Sequence, residues 1–218
     1  MCTTPTPGRS GPRPITTERS NTVVAMTEDA AHLRILVAGA TGVIGARLVP
    51  LLLGAGHTVA GMTRSQPAAV EALGAEPIVC DVYDATALRE AVAAFAPELV
   101  VNELTDLPDD ETALDAARAA NRRIRSEGTA NLLAAAPGIR TIAQSTAFPA
   151  AGIEEHEALV LEAGGVLLRY GRFYGPGTWH SDNRPPEPPR VHVDVAARRT
   201  FEALGAPPGT ILEIVESD

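Results

Sequence analysis

No lysine occurs in the 218 residues of this chain, so all 18 basic residues are arginine. That absence excludes Schiff-base chemistry, a P-loop phosphate lysine and any tyrosine–lysine proton-transfer pair. Cysteine is nearly as scarce. Cys2 and Cys80 are the only two, which rules out a disulfide framework and a cysteine metal site. Aromatic residues make up 4% of the chain, so any core is aliphatic. Positive charge is outweighed, with 27 acidic residues against 18 basic and a net charge of -9. Nucleic-acid binding needs concentrated positive charge, so a nucleic-acid partner is not expected. No apolar run approaches the roughly 20 residues that span a bilayer. The first thirty residues also lack the apolar stretch of a secretory signal. The expectation is a soluble cytoplasmic protein with no membrane partner.

At 45% hydrophobic residues the chain can build a real core. Residues 1–32 stand apart from it. Pro5, Pro7, Gly8, Gly11, Pro12 and Pro14 sit among Thr, Ser and Arg without helical or strand period, which predicts a disordered tail. Met26, just before the patterned region, is a second candidate start. From Leu33 onward, short apolar strands alternate with helices. Strands are expected at 33–38, 57–62, 76–80, 99–101, 139–145, 166–170 and 210–215. Helices are expected at 43–53, 67–73, 85–95, 112–136, 154–163 and, capped by Asp194, 194–204. Residues 175–190 are rich in proline and read as a loop. Parallel strands need long crossovers, so the alternation predicts an α/β, doubly wound parallel sheet of Rossmann type over residues 33–218.

The strongest local signal is Gly39-Ala40-Thr41-Gly42-Val43-Ile44-Gly45, which leaves the first strand and opens the first helix. Gly39 permits a tight turn, Gly42 lets backbone approach a pyrophosphate, and Gly45 lets helix and strand pack closely. Helix-start amides then meet the anion. The second strand ends Thr63-Arg64-Ser65 with no acid for an adenosine ribose. A guanidinium at Arg64, helped by the hydroxyls of Thr63 and Ser65, suits a 2'-phosphate, so NADP(H) is expected over NAD(H). Asp81-Val82, after the third strand, offers a carboxylate to an adenine amino group and an apolar side chain to the ring. Turn formation is the alternative use of Asp81.

These residues resemble the extended short-chain dehydrogenase/reductase group, the NAD-dependent epimerase/dehydratase family. Asp81-Val82 is similar to its adenine-contact pair and Val101-Asn102 to its fourth-strand end, where the backbone lines the cofactor site. Gly128-Thr129-Ala130-Asn131-Leu132-Leu133 is like its central helix. Leu168 to Gly177, ending Tyr-Gly-Pro-Gly, resembles its nicotinamide-side strand and loop, and 191–196 its return to the sheet. The resemblance implies a dinucleotide cofactor held by Gly39, Thr41, Gly42, Val43, Ile44, Gly45, Thr63, Arg64, Ser65, Asp81, Val82 and Asn102. It implies a small carbonyl or sugar-type substrate and leaves a homodimer open.

The departures concern catalysis. Ser145-Thr146 supplies the family's catalytic Ser/Thr, so both are expected at the active site. Counting back from Glu157 puts Ile153 at the lysine position and Pro149 at the tyrosine position, and neither side chain can transfer a proton. Tyr83, Tyr170 and Tyr174 read as structural or pocket-lining. His156 and His180 are the remaining candidate donors. The substrate lobe is also cut short, with about fifteen residues between Gly177 and Asp194. Three readings follow: an NAD(P)-dependent epimerase/dehydratase-like oxidoreductase, a weak or inactive NADP(H) sensor, or a degraded paralogue. No Asp/His/Cys spacing suggests a metal.

Overall fold

The computed structural model describes residues 32–216, so all of the predicted tail but His32, and the two residues after Glu216, lie outside them. The strands are β1 (Arg34–Ala38), β2 (Thr58–Thr63), β3 (Glu76–Val79), β4 (Leu99–Asn102), β5 (Arg140–Thr146), β6 (Val166–Tyr170), β7 (Arg172–Tyr174), β8 (Arg190–His192) and β9 (Ile211–Ile214). The α-helices are α1 (Gly45–Gly54), α2 (Pro67–Ala72), α3 (Ala85–Phe95), α4 (Leu114–Arg123), α5 (Thr129–Ala135), α6 (Ile153–Glu162) and α7 (Val193–Glu202).

Seven strands form one parallel sheet in the order β3-β2-β1-β4-β5-β6-β9, the doubly wound Rossmann-type arrangement. From β1 the chain winds one way through β2 and β3, then returns to lay β4 on β1's other side. Ala38 therefore pairs with Met62 in β2 and with Asn102 in β4. A crevice opens at the carboxyl ends where the winding reverses.

Both faces of the sheet are buried, which explains the unbroken apolar strands. Ile35 and Val37 face a core shared with Leu48 and Leu52 of α1 and Ala196 of α7. The alternate residues Leu36 and Ala38 face Leu88 and Val92 of α3 and Leu132 of α5. Side chains alternate along a strand, so adjacent residues supply opposite layers.

Three local expectations change in the structure. The single helix over 112–136 is instead a 3-10 turn, α4, a π-helical turn at Ile124–Gly128, and α5. A widened turn lets Ile124, Arg125 and Gly128 all face inward. Gly128 suits that packing, because a Cβ there would lie 3.2 Å from Val82 Cγ1. Helix α7 is capped by His192, whose Nδ1 accepts from the Asp194 amide at 3.2 Å. Asp194 instead pairs with Arg47 at 2.7 Å. The proline-rich loop is also clamped at its base, where β7 and β8 form a two-stranded ribbon. Among the described residues no helix is long and apolar enough to cross a membrane.

Candidate functional site

A cleft of about 550 Å³ lies at the winding reversal, within the range of small-molecule sites. Its floor is the turn from Gly39 to Gly45. Gly39 has φ +87°, and a Cβ there would meet the Glu103 carbonyl oxygen at 2.8 Å. A Cβ at Gly45 would collide with the Gly39 carbonyl oxygen. Both contacts are with backbone, so neither can relax by a rotamer change. The Gly42 amide closes the turn onto the Gly39 oxygen at 3.0 Å. Among the described residues the Val43 and Ile44 amides have no hydrogen-bond acceptor. Orphan amides at the positive end of α1, beside a crevice kept free of Cβ atoms, fit a diphosphate. By that test the residues present suit a dinucleotide.

One side of the cleft is lined by Thr63, Arg64, Ser65 and Val82, the residues expected from sequence to meet the adenosine half of a dinucleotide. Thr63 Oγ1 accepts from the Gln66 amide, which shapes the turn after β2. Arg64 carries no acid beside it on β2. One enters from elsewhere, because Asp106, on the loop after β4, pairs with Arg64 at 3.1 Å. Tyr83 Oη also reaches Asp106, at 3.4 Å. Sequence reading missed this residue, since nothing local to Asp106 signals that it faces Arg64. Asp81 and Asn102 are not among the lining residues. Asp81 accepts from the Tyr83 amide at 3.0 Å, a turn contact. Asn102 is buried, donates to Thr129 Oγ1 at 3.3 Å and accepts from the Leu104 amide at 3.2 Å.

The other half of the cleft is walled by Glu103, Gln144, Tyr170, Phe173, Thr178 and Trp179. Two loops meet over it, since the Trp179 indole N–H donates to the carbonyls of Pro108 and Asp109 at 3.2 and 3.1 Å. Arg47 holds the second loop to the glycine turn by donating to the carbonyls of Val43 and Pro176, at 2.9 and 2.5 Å. The shortened loop thus still roofs part of the cleft. Deep in this half, Tyr170 Oη lies 3.0 Å from Glu103 Oε1 and 2.6 Å from Thr200 Oγ1. Thr200 in turn donates to the Ala196 carbonyl at 2.8 Å. Burial pushes the Glu103 carboxyl up to about 8, against a smaller opposing effect of the Tyr170 hydrogen bond. Burial, then the nearby Glu103, raises the Tyr170 phenol well above its ordinary range, so it keeps its proton.

Ser145 and Thr146 do not line the cleft. Ser145 is fully buried and donates to Glu157 Oε1 at 2.6 Å. Arg169 holds the same carboxylate through two contacts of 2.8 and 2.5 Å. Hydrogen bonding from Arg169, ahead of that from Ser145, keeps the Glu157 carboxyl below its ordinary range. Thr146 donates to the Phe148 carbonyl at 2.7 Å. Only seven residues join Ser145 to the start of α6 at Ile153, so Glu157 comes down onto Ser145. His156 is equally committed. Its Nε2 donates to the Gln144 carbonyl at 2.8 Å, and its Nδ1 meets Thr129 Oγ1 at 3.0 Å and the Arg125 carbonyl at 3.2 Å, so both ring nitrogens are engaged. Burial lowers its pKa, which keeps it neutral. His180 sits 3.6 Å from Glu111 and is not among the residues lining this cleft.

Comparison with known proteins agrees with this geometry. Residues 35–159 match the model of the NAD dependent epimerase/dehydratase family. The chain is 38% identical over 181 residues to a 3-diazoavenalumate denitrifying reductase of a Streptomyces species, covering 68% of this chain and 59% of the relative. It therefore spans about three fifths of that relative's length. An uncharacterized protein of Schizosaccharomyces pombe is 41% identical over 63 residues, covering 28% of this chain and 21% of that one. Among solved structures, UDP-glucose 4-epimerase of Thermus thermophilus in complex with NAD superposes with a TM-score of 0.68 at 20% identity, covering 85% and 78% of the two chains. The Bordetella bronchiseptica enzyme WbmH in complex with NAD+ gives 0.67 at 16% identity, covering 85% and 76%. Those identities speak to the fold alone. The matched region runs from β1 into α6 and includes the glycine turn, so this chain belongs to the NAD dependent epimerase/dehydratase family.

Proposed function

We propose that this chain is an NADP(H)-dependent reductase of a small molecule, an aromatic diazo compound being the first substrate to test. The observation that carries the reading is the pair of acceptor-less amides, Val43 and Ile44, opening on a cleft that glycine keeps clear. In this reading the glycine turn holds the diphosphate. Arg64, with Thr63 and Ser65, takes the 2'-phosphate in exchange for Asp106, and Val82 packs on the adenine. A reduced nicotinamide, when bound, supplies hydride.

Three features favour reduction of a small acceptor over sugar epimerisation. The loop from Gly177 to β8 is too short to build a substrate lobe. No lysine exists to pair with a tyrosine. The hydroxyls of Tyr83, Tyr170 and Tyr174 already contact Asp106, Glu103 and Glu216. The Streptomyces relative is a 3-diazoavenalumate denitrifying reductase, which supports reduction of a diazo compound as the reaction to test. Trp179 and the 104–109 loop roof part of the cleft, where a small acceptor would lie.

The test is NADPH oxidation, followed by absorbance, with 3-diazoavenalumate as acceptor. Consumption of NADPH only when both are present supports the proposal. NADPH bound but never oxidised would favour a sensor, and no binding of either nicotinamide dinucleotide would remove the cofactor assignment.

A further inference from the structure

Glu103 lines the cleft but has no part in holding the dinucleotide in the reading above. It follows β4 directly, and its amide extends the ladder to β1 by donating to the Ala38 carbonyl at 2.9 Å. Its backbone is therefore as fixed as the glycine turn against which its carbonyl packs. Its side chain crosses toward the end of β6, where Tyr170 meets Oε1. Oε2 has no protein partner among the described residues, and no arginine or histidine lies within ion-pairing distance of the carboxyl there.

The hydrogen-bond count indicates the protonation state. Three oxygen–oxygen contacts run in a row, from Glu103 to Tyr170 (3.0 Å), Tyr170 to Thr200 (2.6 Å) and Thr200 to the Ala196 carbonyl (2.8 Å). Tyr170 and Thr200 bring two hydrogens to these three contacts. All three become hydrogen bonds only if Glu103 brings the third, as a neutral acid. Should Glu103 lose its proton, both hydroxyls can turn round, Thr200 donating to Tyr170 and Tyr170 to the carboxylate. The ionised state therefore keeps two of the three hydrogen bonds without moving a heavy atom and gives up the one from Thr200 to the Ala196 carbonyl, so the full set favours the neutral acid. The raised carboxyl pKa agrees with the neutral resting form. From the packed elements, β6 contributes Tyr170 and α7 the non-ionising Thr200, so no fixed charge opposes that form.

We propose that Glu103 stands in the cleft as a neutral carboxylic acid and is the proton donor of the reduction, a role left open by the missing tyrosine and lysine. This inference rests on the reductase reading. With a diazo compound as acceptor, hydride from reduced nicotinamide adds to the terminal nitrogen and the proton of Glu103 to the carbon. This gives a C–N=N–H group whose C–N bond breaks to release N2 as its N–H hydrogen passes to that carbon. The proton leaves from Oε2, the oxygen without a protein partner, once the carboxyl has turned its O–H to the cleft and Tyr170 has turned to donate to Oε1. Glu103 is left as a carboxylate, and water at the cleft mouth restores its proton. The acid works only while protonated, so turnover declines as pH rises through about 8.

The experiment has two arms. In the first, the protein without cofactor, labelled with 13C at glutamate carboxyls, is titrated by NMR as wild type, Glu103→Gln and Tyr170→Phe. One glutamate with a midpoint near 8 is expected in wild type. It should be missing from Glu103→Gln and shifted upward in Tyr170→Phe, which loses the hydroxyl that stabilises the anion. In the second arm, NADPH binding is read by quenching of Trp179 and turnover is measured with the diazo probe. Glu103→Gln is expected to bind NADPH like wild type at neutral pH, to lose about 100-fold or more in kcat, and to lose the decline above pH 8. If every glutamate titrates in the ordinary carboxylate range, or Glu103→Gln keeps wild-type kcat and pH profile, the donor role is overturned while the reductase reading stands. If NADPH is not bound, or is bound and not oxidised by wild type, the reductase reading falls and takes the donor role with it.

Discussion

The Arg64–Asp106 pair makes the cofactor preference measurable. The two side chains meet at 3.1 Å, Arg64 with 61% of its side chain exposed and Asp106 with 15%. If Arg64 receives a 2'-phosphate it must loosen its hold on Asp106, and the phosphate then approaches a carboxylate. A pair this exposed on one side contributes about 0.5–1 kcal/mol. Replacing Asp106 with asparagine keeps the shape, releases the guanidinium and removes the like charge. NADPH should therefore bind about 3- to 10-fold tighter to Asp106→Asn, with NADH within about twofold of wild type. Arg64→Ala should act oppositely. Losing a charge-assisted contact to phosphate is worth about 1.5–3 kcal/mol, roughly 10- to 100-fold in NADPH affinity alone. The assay is convenient because the chain has one tryptophan and Trp179 lines the cleft. Titrating each dinucleotide against Trp179 emission at low and high salt gives both affinities, and the NADPH advantage should shrink with salt. The reasoning is refuted if Asp106→Asn weakens NADH binding, which would make Asp106 a ribose ligand, or if Arg64→Ala changes both affinities equally.

Other outcomes follow from the same contacts. Gly45→Ala drives a Cβ into the Gly39 carbonyl oxygen; it should cost about 2–4 kcal/mol in urea unfolding and abolish dinucleotide-induced quenching. Glu157→Gln breaks the contacts to Arg169 and Ser145 and should destabilise the fold by about 2 kcal/mol at neutral pH, leaving NADPH affinity unchanged. Because the folded Glu157 pKa is depressed, that stabilisation is present above the unfolded carboxyl pKa and lost as pH falls through the folded one. Wild type and variant should therefore converge in acid unfolding titrations. Glu103 has the opposite sign. Its folded pKa is raised to about 8 from 4.5, so wild type loses stability between those two values as the unfolded chain ionises first. Glu103→Gln lacks that loss and should be more stable by about 2–4 kcal/mol above pH 8 in chemical denaturation.

Much of this protein was legible from local pattern. The strand at 33–38, the glycines at 39, 42 and 45 and the helix behind them are specified within some twenty residues. Steric exclusion of Cβ and the orphan amides of a helix start are properties of consecutive residues. The alternation of short apolar strands with helices likewise implied a parallel sheet, because buried strands and long crossovers leave few alternatives. Absence was informative too, since no fold can create a lysine.

What the chain could not disclose locally are meetings between distant loops and strand ends. Glu103 and Tyr170 are 67 residues apart, and Arg64 and Asp106 are 42 apart. Each pair meets because β4, β5 and β6 lie side by side, or because the 104–109 loop turns across the mouth of the crevice. The same distance effect relocated the expected catalytic hydroxyl. Ser145 carries the family's local signal, but the short span to α6 delivers Glu157 and commits the hydroxyl to an ion pair. Backbone geometry propagates over neighbouring residues and can be read from them. Side-chain chemistry in a crevice depends on which strand ends the winding brings together, and only the folded sheet decides that.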